Sequence, residues 1–201
     1  MTDHNTTFYG FTAVPRDTDV LFKDHPTASG PHPKQDPFTI DDFPFPDSKL
    51  VREKELDEKT YNHSNRVYIY GAPPPLPPPG LADAALGTAL VKTHFPAWAY
   101  DRETYYLACL LHDIGTAERF LASTKMSFEF KGAIVARDLI LSTGGPEDQA
   151  DSVCDAIVRH QDIFVKGGNI TMVGQVLQLA TILDNVGLCV RFLSLGVGVD
   201  C

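Results

Sequence analysis

The sequence lacks three features: paired cysteines in a C-x-x-C spacing, a long apolar run, and an excess of basic residues. Its four cysteines stand singly at Cys109, Cys154, Cys189 and Cys201. This spacing predicts no cysteine-type zinc site. No apolar run reaches the roughly 18 residues of a membrane helix, and the polar residues 1–5 are followed by no secretory apolar segment. We therefore expect a protein of the cytoplasm, with the nucleus as the alternative.

The charge balance is acidic, with 17 Lys and Arg against 26 Asp and Glu, a net charge of −9. No basic patch is visible, which argues against nucleic acids and anionic membranes as partners. We expect instead a small-molecule substrate that is neutral, or whose charge a metal would balance. Assembly into a homo-oligomer stays open.

The length of 201 residues and the 43% of hydrophobic residues indicate one domain with a real core. Residues 1–47 are rich in proline and show no helical periodicity. We predict an extended N-terminal arm here, with disorder of residues 16–36 as the alternative. The aromatic side chains expected to pack it onto the body are Phe8, Tyr9, Phe11 and Phe38.

Apolar residues at helical spacing follow, and alternation of period two is nearly absent, so the sequence predicts an all-α domain. A first helix begins near Asp47 or Ser48. Further helices are predicted at 61–70, 101–114, 127–141, 149–160 and 171–186. Glycine-rich turns at 144–146 and 167–169 separate the last three. Residues 128, 135 and 139 are expected to form the buried stripe of the 127–141 helix.

Two segments do not fit a helical bundle. Residues 73–79 contain six prolines and predict a polyproline II stretch inside an insertion at 71–90. This stretch is most simply a loop, and an SH3-type protein partner is the weaker alternative. The insertion is expected to break the preceding helix after about two turns. Residues 188–201 do not continue a helix well and are expected to be an atypical, truncated tail.

Polar residues interrupt three of the predicted apolar stripes. Asp184 follows Leu177 and Ala180 on a core-facing stripe, and His160 follows Ala156 and Ile157 on another. A buried carboxylate needs a partner because an unpaired buried charge is costly. A metal ion is one such partner, and an arginine or a set of backbone donors is the other.

The pair His112-Asp113 ends a third apolar stripe and is followed by Gly115, which permits a close approach of the chain. His63 lies on an earlier predicted helix. Two imidazoles and two carboxylates in the order H…HD…D can hold a divalent metal and leave positions for water. Zinc suits this ligand set, with another divalent transition metal as the alternative.

Longer strings in the same order narrow the interpretation. They are YGFTAVP (9–15), YNHSNRV (61–67), FPAW (95–98), LACLLHDIG (107–115), ASTKMSFE (122–129), IVRHQD (157–162) and ATILDNVG (180–187). In these motifs the chain resembles the fungal cyanamide hydratase family, a branch of the HD-domain superfamily of metal-dependent hydrolases. The resemblance covers most of residues 8–187.

The resemblance implies an HD-domain helical bundle over residues 48–187 that hydrates a small nitrile, cyanamide above all, to give urea. It implies a zinc ion held by His63, His112, Asp113 and Asp184. It also implies that Lys125, Glu129 and His160 line the pocket, and that one of them gives a proton to the nitrile nitrogen. Lys125 and Glu129 are four residues apart, so on one helix they could hold each other in place.

Two other interpretations stay open. The same ligands would serve an HD-type phosphohydrolase, for which Lys125, Arg159 and Arg66 are candidate phosphate contacts. The chain could also be an inactive, truncated HD-like protein whose polyproline stretch engages a partner.

Overall fold

The computed structural model describes residues 3–23, 56–71 and 95–186 of the chain. Within these ranges five longer helices form a bundle, joined by three short helices and a two-stranded sheet. This confirms the all-α prediction. The helices are α1 (His4–Phe8), α2 (Thr18–Leu21), α3 (Glu58–Gly71), α4 (Arg102–Leu111), α5 (Glu118–Leu121), α6 (Phe128–Ser142), α7 (Glu147–Arg159) and α8 (Met172–Val186). The strands are β1 (Ala13–Pro15) and β2 (Asn169–Thr171).

Helix α4 is the centre of the bundle and contacts α3, α6, α7 and α8. Asp101 is the N-cap of this helix. Its carboxylate accepts hydrogen bonds from the backbone N–H and the hydroxyl of Thr104 at 2.8 and 2.7 Å. A helix with neighbours on all sides must be apolar nearly all round. Its buried residues are Thr104, Tyr105, Tyr106, Ala108, Cys109, Leu110 and Leu111.

Helix α3 is longer than the sequence predicted. It begins at Glu58, where the Asp57 carboxylate accepts from the backbone of Thr60 at 2.9 Å, and it continues to Gly71. It packs against both α4 and α8. Its 14 described residues make about four turns rather than the two that were expected, and contacts with α4 and α8 support them.

The buried face of α6 also differs from the prediction. Phe128, Val135 and Leu139 are only half-buried. The residues that this helix buries are mostly small: Gly132, Ala133, Ala136 and Ile140. At Gly132 a small residue is needed because a 3₁₀ turn, Ile114–Thr116, lies directly against the helix, and a Cβ atom there would lie 3.0 Å from the Gly115 nitrogen. The apolar pattern runs nearly all round α6, so the sequence could not reveal which side the turn would cover.

The described part of the N-terminal arm, residues 3–23, contains short regular elements within the predicted arm. Besides α1 and α2, its strand β1 pairs antiparallel with β2, with Val14 opposite Ile170. The Arg16 guanidinium donates to the carbonyl of Gly167 at 2.8 Å. Phe8 is 43% exposed, so it does not anchor the arm as expected.

Several predictions fall outside the described residues. They concern Phe38, a helix start near Asp47 or Ser48, the polyproline stretch 73–79 and residues 188–201. The predicted glycine turns are confirmed, with Gly144, Gly167 and Gly168 at φ of 85°, 71° and 75°. Within the part of the chain that the structure describes, no helix combines the length and apolar character needed to cross a membrane.

Substitution of Gly115 by alanine tests the contact between the 3₁₀ turn and α6. A Cβ atom there would overlap the Phe128 carbonyl oxygen and lie 2.9 Å from the Gly132 nitrogen. We expect Gly115→Ala to lower the free energy of unfolding by about 1–3 kcal/mol, measured by urea denaturation. The imidazole NMR resonance of the nearby His112 should shift as well.

The matched control is Gly144→Ala, where the added Cβ meets nothing within 4 Å. This variant should lower the free energy of unfolding by about 1 kcal/mol, because alanine is strained in the left-handed backbone conformation of Gly144. The histidine resonances should not shift. A Gly115→Ala variant with wild-type stability and unchanged resonances would contradict the close approach.

Candidate metal centre

Two histidines occupy the same local position, at the residue that ends a helix. His112 is the C-cap residue that follows Leu111 of α4, and His160 is the C-cap residue that follows Arg159 of α7. In each, Nδ1 donates a hydrogen bond to the carbonyl three residues earlier, at 2.7 Å to Cys109 and 2.6 Å to Ile157. Since a carbonyl only accepts, the proton must sit on Nδ1. Each Nε2 therefore carries an unprotonated lone pair.

His63 brings a third imidazole from α3. Its Nδ1 lies 2.5 Å from Oδ2 of Asp184, so this nitrogen donates to the carboxylate. In the neutral ring Nε2 is the acceptor nitrogen with a lone pair, and it lies 3.1 Å from Nε2 of His112. Two lone pairs at this separation repel each other unless a cation or a proton lies between or beside them.

The Asp113 carboxylate completes a triangle with these two nitrogens. Its Oδ2 is 3.4 Å from Nε2 of His112 and 3.7 Å from Nε2 of His63. Ligand atoms about 2.0–2.1 Å from a tetrahedral zinc are separated by about 3.3–3.4 Å. The triangle therefore matches one face of such a coordination shell, and these three residues fit a divalent metal.

Burial keeps the histidines in the form that binds metals. His112 and His160 have no exposed surface, and this burial lowers the pKa of each imidazole to about 4. Both rings are then neutral at pH 7, as metal ligation requires. Burial also raises the pKa of Asp113, against the opposing effect of His160 and His63. About 21% of the Asp113 side chain is exposed, so the centre has an opening to solvent.

Asp184 lies on the core-facing side of α8, as its stripe predicted, with 6% of its side chain exposed. The partner that the structure gives it is an arginine. Nε of Arg66 donates to Oδ1 at 2.6 Å and Nη2 donates to Oδ2 at 2.9 Å. Burial opposes ionisation of Asp184, but Arg66 and His63 together outweigh it and lower its pKa. Asp184 thus lies beside Nδ1 of His63, while Nε2 belongs to the triangle.

The three predicted pocket residues have different positions. His160 is buried beside the triangle, its Nε2 3.8 Å from Oδ1 of Asp113. Glu129 is half-buried in the first turn of α6, where its carboxylate accepts from the Ser127 hydroxyl. Lys125 is exposed and precedes α6, so it does not share a helix with Glu129. The expectation that one helix would pair them is wrong, because the helix begins at Phe128.

Two of the three candidate phosphate contacts, Arg66 and Arg159, engage carboxylates in this structure. Arg66 pairs with Asp184. Arg159 lies 3.7 Å from the carboxylate of Asp155 and 3.6 Å from that of Asp162. These guanidinium groups neutralise the protein's own acids, which leaves less positive charge for a phosphate substrate.

Sequence reasoning missed the hydrogen bonds that fix the imidazoles. The backbone carbonyls of Cys109 and Ile157 hold the proton of His112 and His160 on Nδ1. The carboxylate of Asp184, which Arg66 holds in place, does the same for His63. A signal for the first two was present, because each histidine ends an apolar helical stripe, where the carbonyl three residues earlier lacks an intrahelical partner. The third had no such signal, since α3 and α8 are far apart in sequence.

Comparison with known proteins identifies the family of this chain. The HD-domain family model matches residues 85–186, which include His112, Asp113, His160 and Asp184. Two Saccharomyces cerevisiae proteins, named cyanamide hydratase DDI2 and cyanamide hydratase DDI3, are each 41% identical to this chain over 186 residues. The alignments cover 89% of this chain and 71% of each relative. With its HD pair at the end of a buried helix, the chain belongs to the cyanamide hydratase family within the HD-domain superfamily.

Proposed function

We propose that this protein is a metal-dependent enzyme that hydrates a small nitrile, cyanamide above all, to urea. The observation that carries the proposal is the triangle of His63 Nε2, His112 Nε2 and Asp113 Oδ2, with edges of 3.1, 3.4 and 3.7 Å. Membership of a family with relatives named cyanamide hydratase supports the reaction.

The metal that we propose is zinc, because two imidazoles with carboxylate oxygens suit it, and another divalent transition metal is the alternative. When bound, such an ion lowers the pKa of a bound water to about 7. We further propose Asp184 as the fourth ligand. In this structure Oδ2 of Asp184 accepts from Nδ1 of His63 and Oδ1 accepts from Arg66, so ligation by Asp184 would replace its hydrogen bond to His63.

The reaction adds the oxygen of water to the nitrile carbon. One electron pair of the triple bond moves to the nitrile nitrogen, which takes up a proton while the attacking water gives one up, so that isourea forms. The remaining hydroxyl proton then moves to the imino nitrogen, which gives urea. In the tautomer of this structure His160 presents a lone pair to the centre, so it accepts hydrogen bonds there. We therefore propose Glu129 or Lys125, directly or through water, as the group that supplies the proton.

The central prediction concerns activity. Purified protein loaded with zinc should release urea from cyanamide, and a chelator should abolish the release. We expect Asp113→Asn to lose more than about 100-fold in activity, because a neutral amide replaces a charged ligand. The measurement is urea formation at neutral pH.

The control variant is Asp151→Asn, whose carboxylate pairs with Arg137 on the surface of α7 and should not affect the reaction. The proposal would be wrong if zinc-loaded wild-type protein left cyanamide unchanged and cleaved phosphate esters. That result would favour the phosphohydrolase interpretation.

Asp184 gives a second prediction. Asp184→Asn should reduce zinc content, measured by plasma mass spectrometry after gel filtration, well below one ion per chain. Asp162→Asn, a carboxylate that pairs with Arg16, is the matched control and should keep its zinc. Retention of one zinc by Asp184→Asn, with affinity weakened only about 10–100-fold, would instead mean that Asp184 orients His63.

A further inference from the structure

Nε2 of His160 is a buried hydrogen-bond acceptor that no described residue satisfies. Its ring has no exposed surface, and Nδ1 is already used by the Ile157 carbonyl. The rings of His112 and Phe128 lie edge-on to it, at centroid distances of 5.2 and 5.7 Å. A buried acceptor is normally paired, so this lone pair requires a donor other than the residues that the structure describes.

Asp113 presents a second acceptor to the same space. Its carboxylate faces two ways, because Oδ2 belongs to the triangle with His63 and His112, while Oδ1 lies 3.8 Å from Nε2 of His160. Two acceptors at 3.8 Å can share one donor group that carries two hydrogens. A single –NH₂ group can reach both through bent hydrogen bonds of about 2.9 Å.

We propose that His160 Nε2 and Asp113 Oδ1 bind the amino group of the substrate and thereby select nitriles that carry –NH₂ on the nitrile carbon. This inference rests on the proposed function and deepens it. Cyanamide and acetonitrile each have three heavy atoms, but only cyanamide can donate to the two acceptors. A site built for hydrogen bonding discriminates strongly against an analogue without the donor.

The test compares His160→Gln and His160→Phe with the wild type. Glutamine retains an acceptor oxygen, whereas phenylalanine fills similar space without one. The measurements are kcat/KM for cyanamide and the inhibition constant of acetonitrile in the same assay. We expect His160→Phe to lower kcat/KM for cyanamide about tenfold or more, mainly through KM. His160→Gln should recover part of this loss, and acetonitrile inhibition should change less than about twofold in both.

Zinc content and the melting temperature of each variant show whether the centre is intact. Phe128→Leu is the packing control, since it alters a ring beside His160 without removing an acceptor. Equal weakening of cyanamide and acetonitrile would overturn the inference, because it would indicate a packing role. Unchanged kcat/KM in His160→Phe would overturn the inference alone. Zinc-loaded wild-type protein without urea release would overturn the proposed function, and the inference with it.

Discussion

The organisation of this protein depends on potential metal-ligand atoms that converge on one point in a largely buried site. These atoms are two imidazole nitrogens and a carboxylate oxygen. Nε2 of His63 and Nε2 of His112 face each other at 3.1 Å, and the Asp113 carboxylate lies beside both. Such an arrangement concentrates negative potential and costs free energy when nothing neutralises it. A divalent cation would turn this cost into stabilisation, so the centre is expected to couple metal binding to folding.

Each imidazole is oriented by a hydrogen bond from its other nitrogen. Backbone carbonyls at the ends of α4 and α7 hold His112 and His160, and a carboxylate on α8 holds His63. Because these acceptors belong to the bundle itself, the packing of α3, α4, α7 and α8 determines the geometry of the centre. Gly115 belongs to the same constraint, since it lets the chain leave the HD pair and pass against α6.

Much of the fold could be predicted from apolar spacing, and the failures have a physical cause. The stripe of α7, including Val153, Ala156 and Ile157, is fully buried as expected, because one face of this helix is polar. Helix α6 is apolar nearly all round, so periodicity could not indicate its buried side. The prolines of the arm predicted an extended segment, but they could not indicate that β1 pairs with Ile170 and its neighbours, because this contact is long-range.

The H…HD…D order predicted that the four candidate ligands lie near one another, and the structure gathers His63, His112 and Asp113, with Asp184 on Nδ1 of His63. The order could not indicate the direction of each nitrogen. That direction depends on contacts such as Arg66 with Asp184. The most direct test is X-ray absorption at the zinc edge of the loaded protein. The account predicts only nitrogen and oxygen ligands at about 2.0–2.1 Å, with two imidazole rings. A sulfur ligand near 2.3 Å, or a third imidazole from His160, would contradict it.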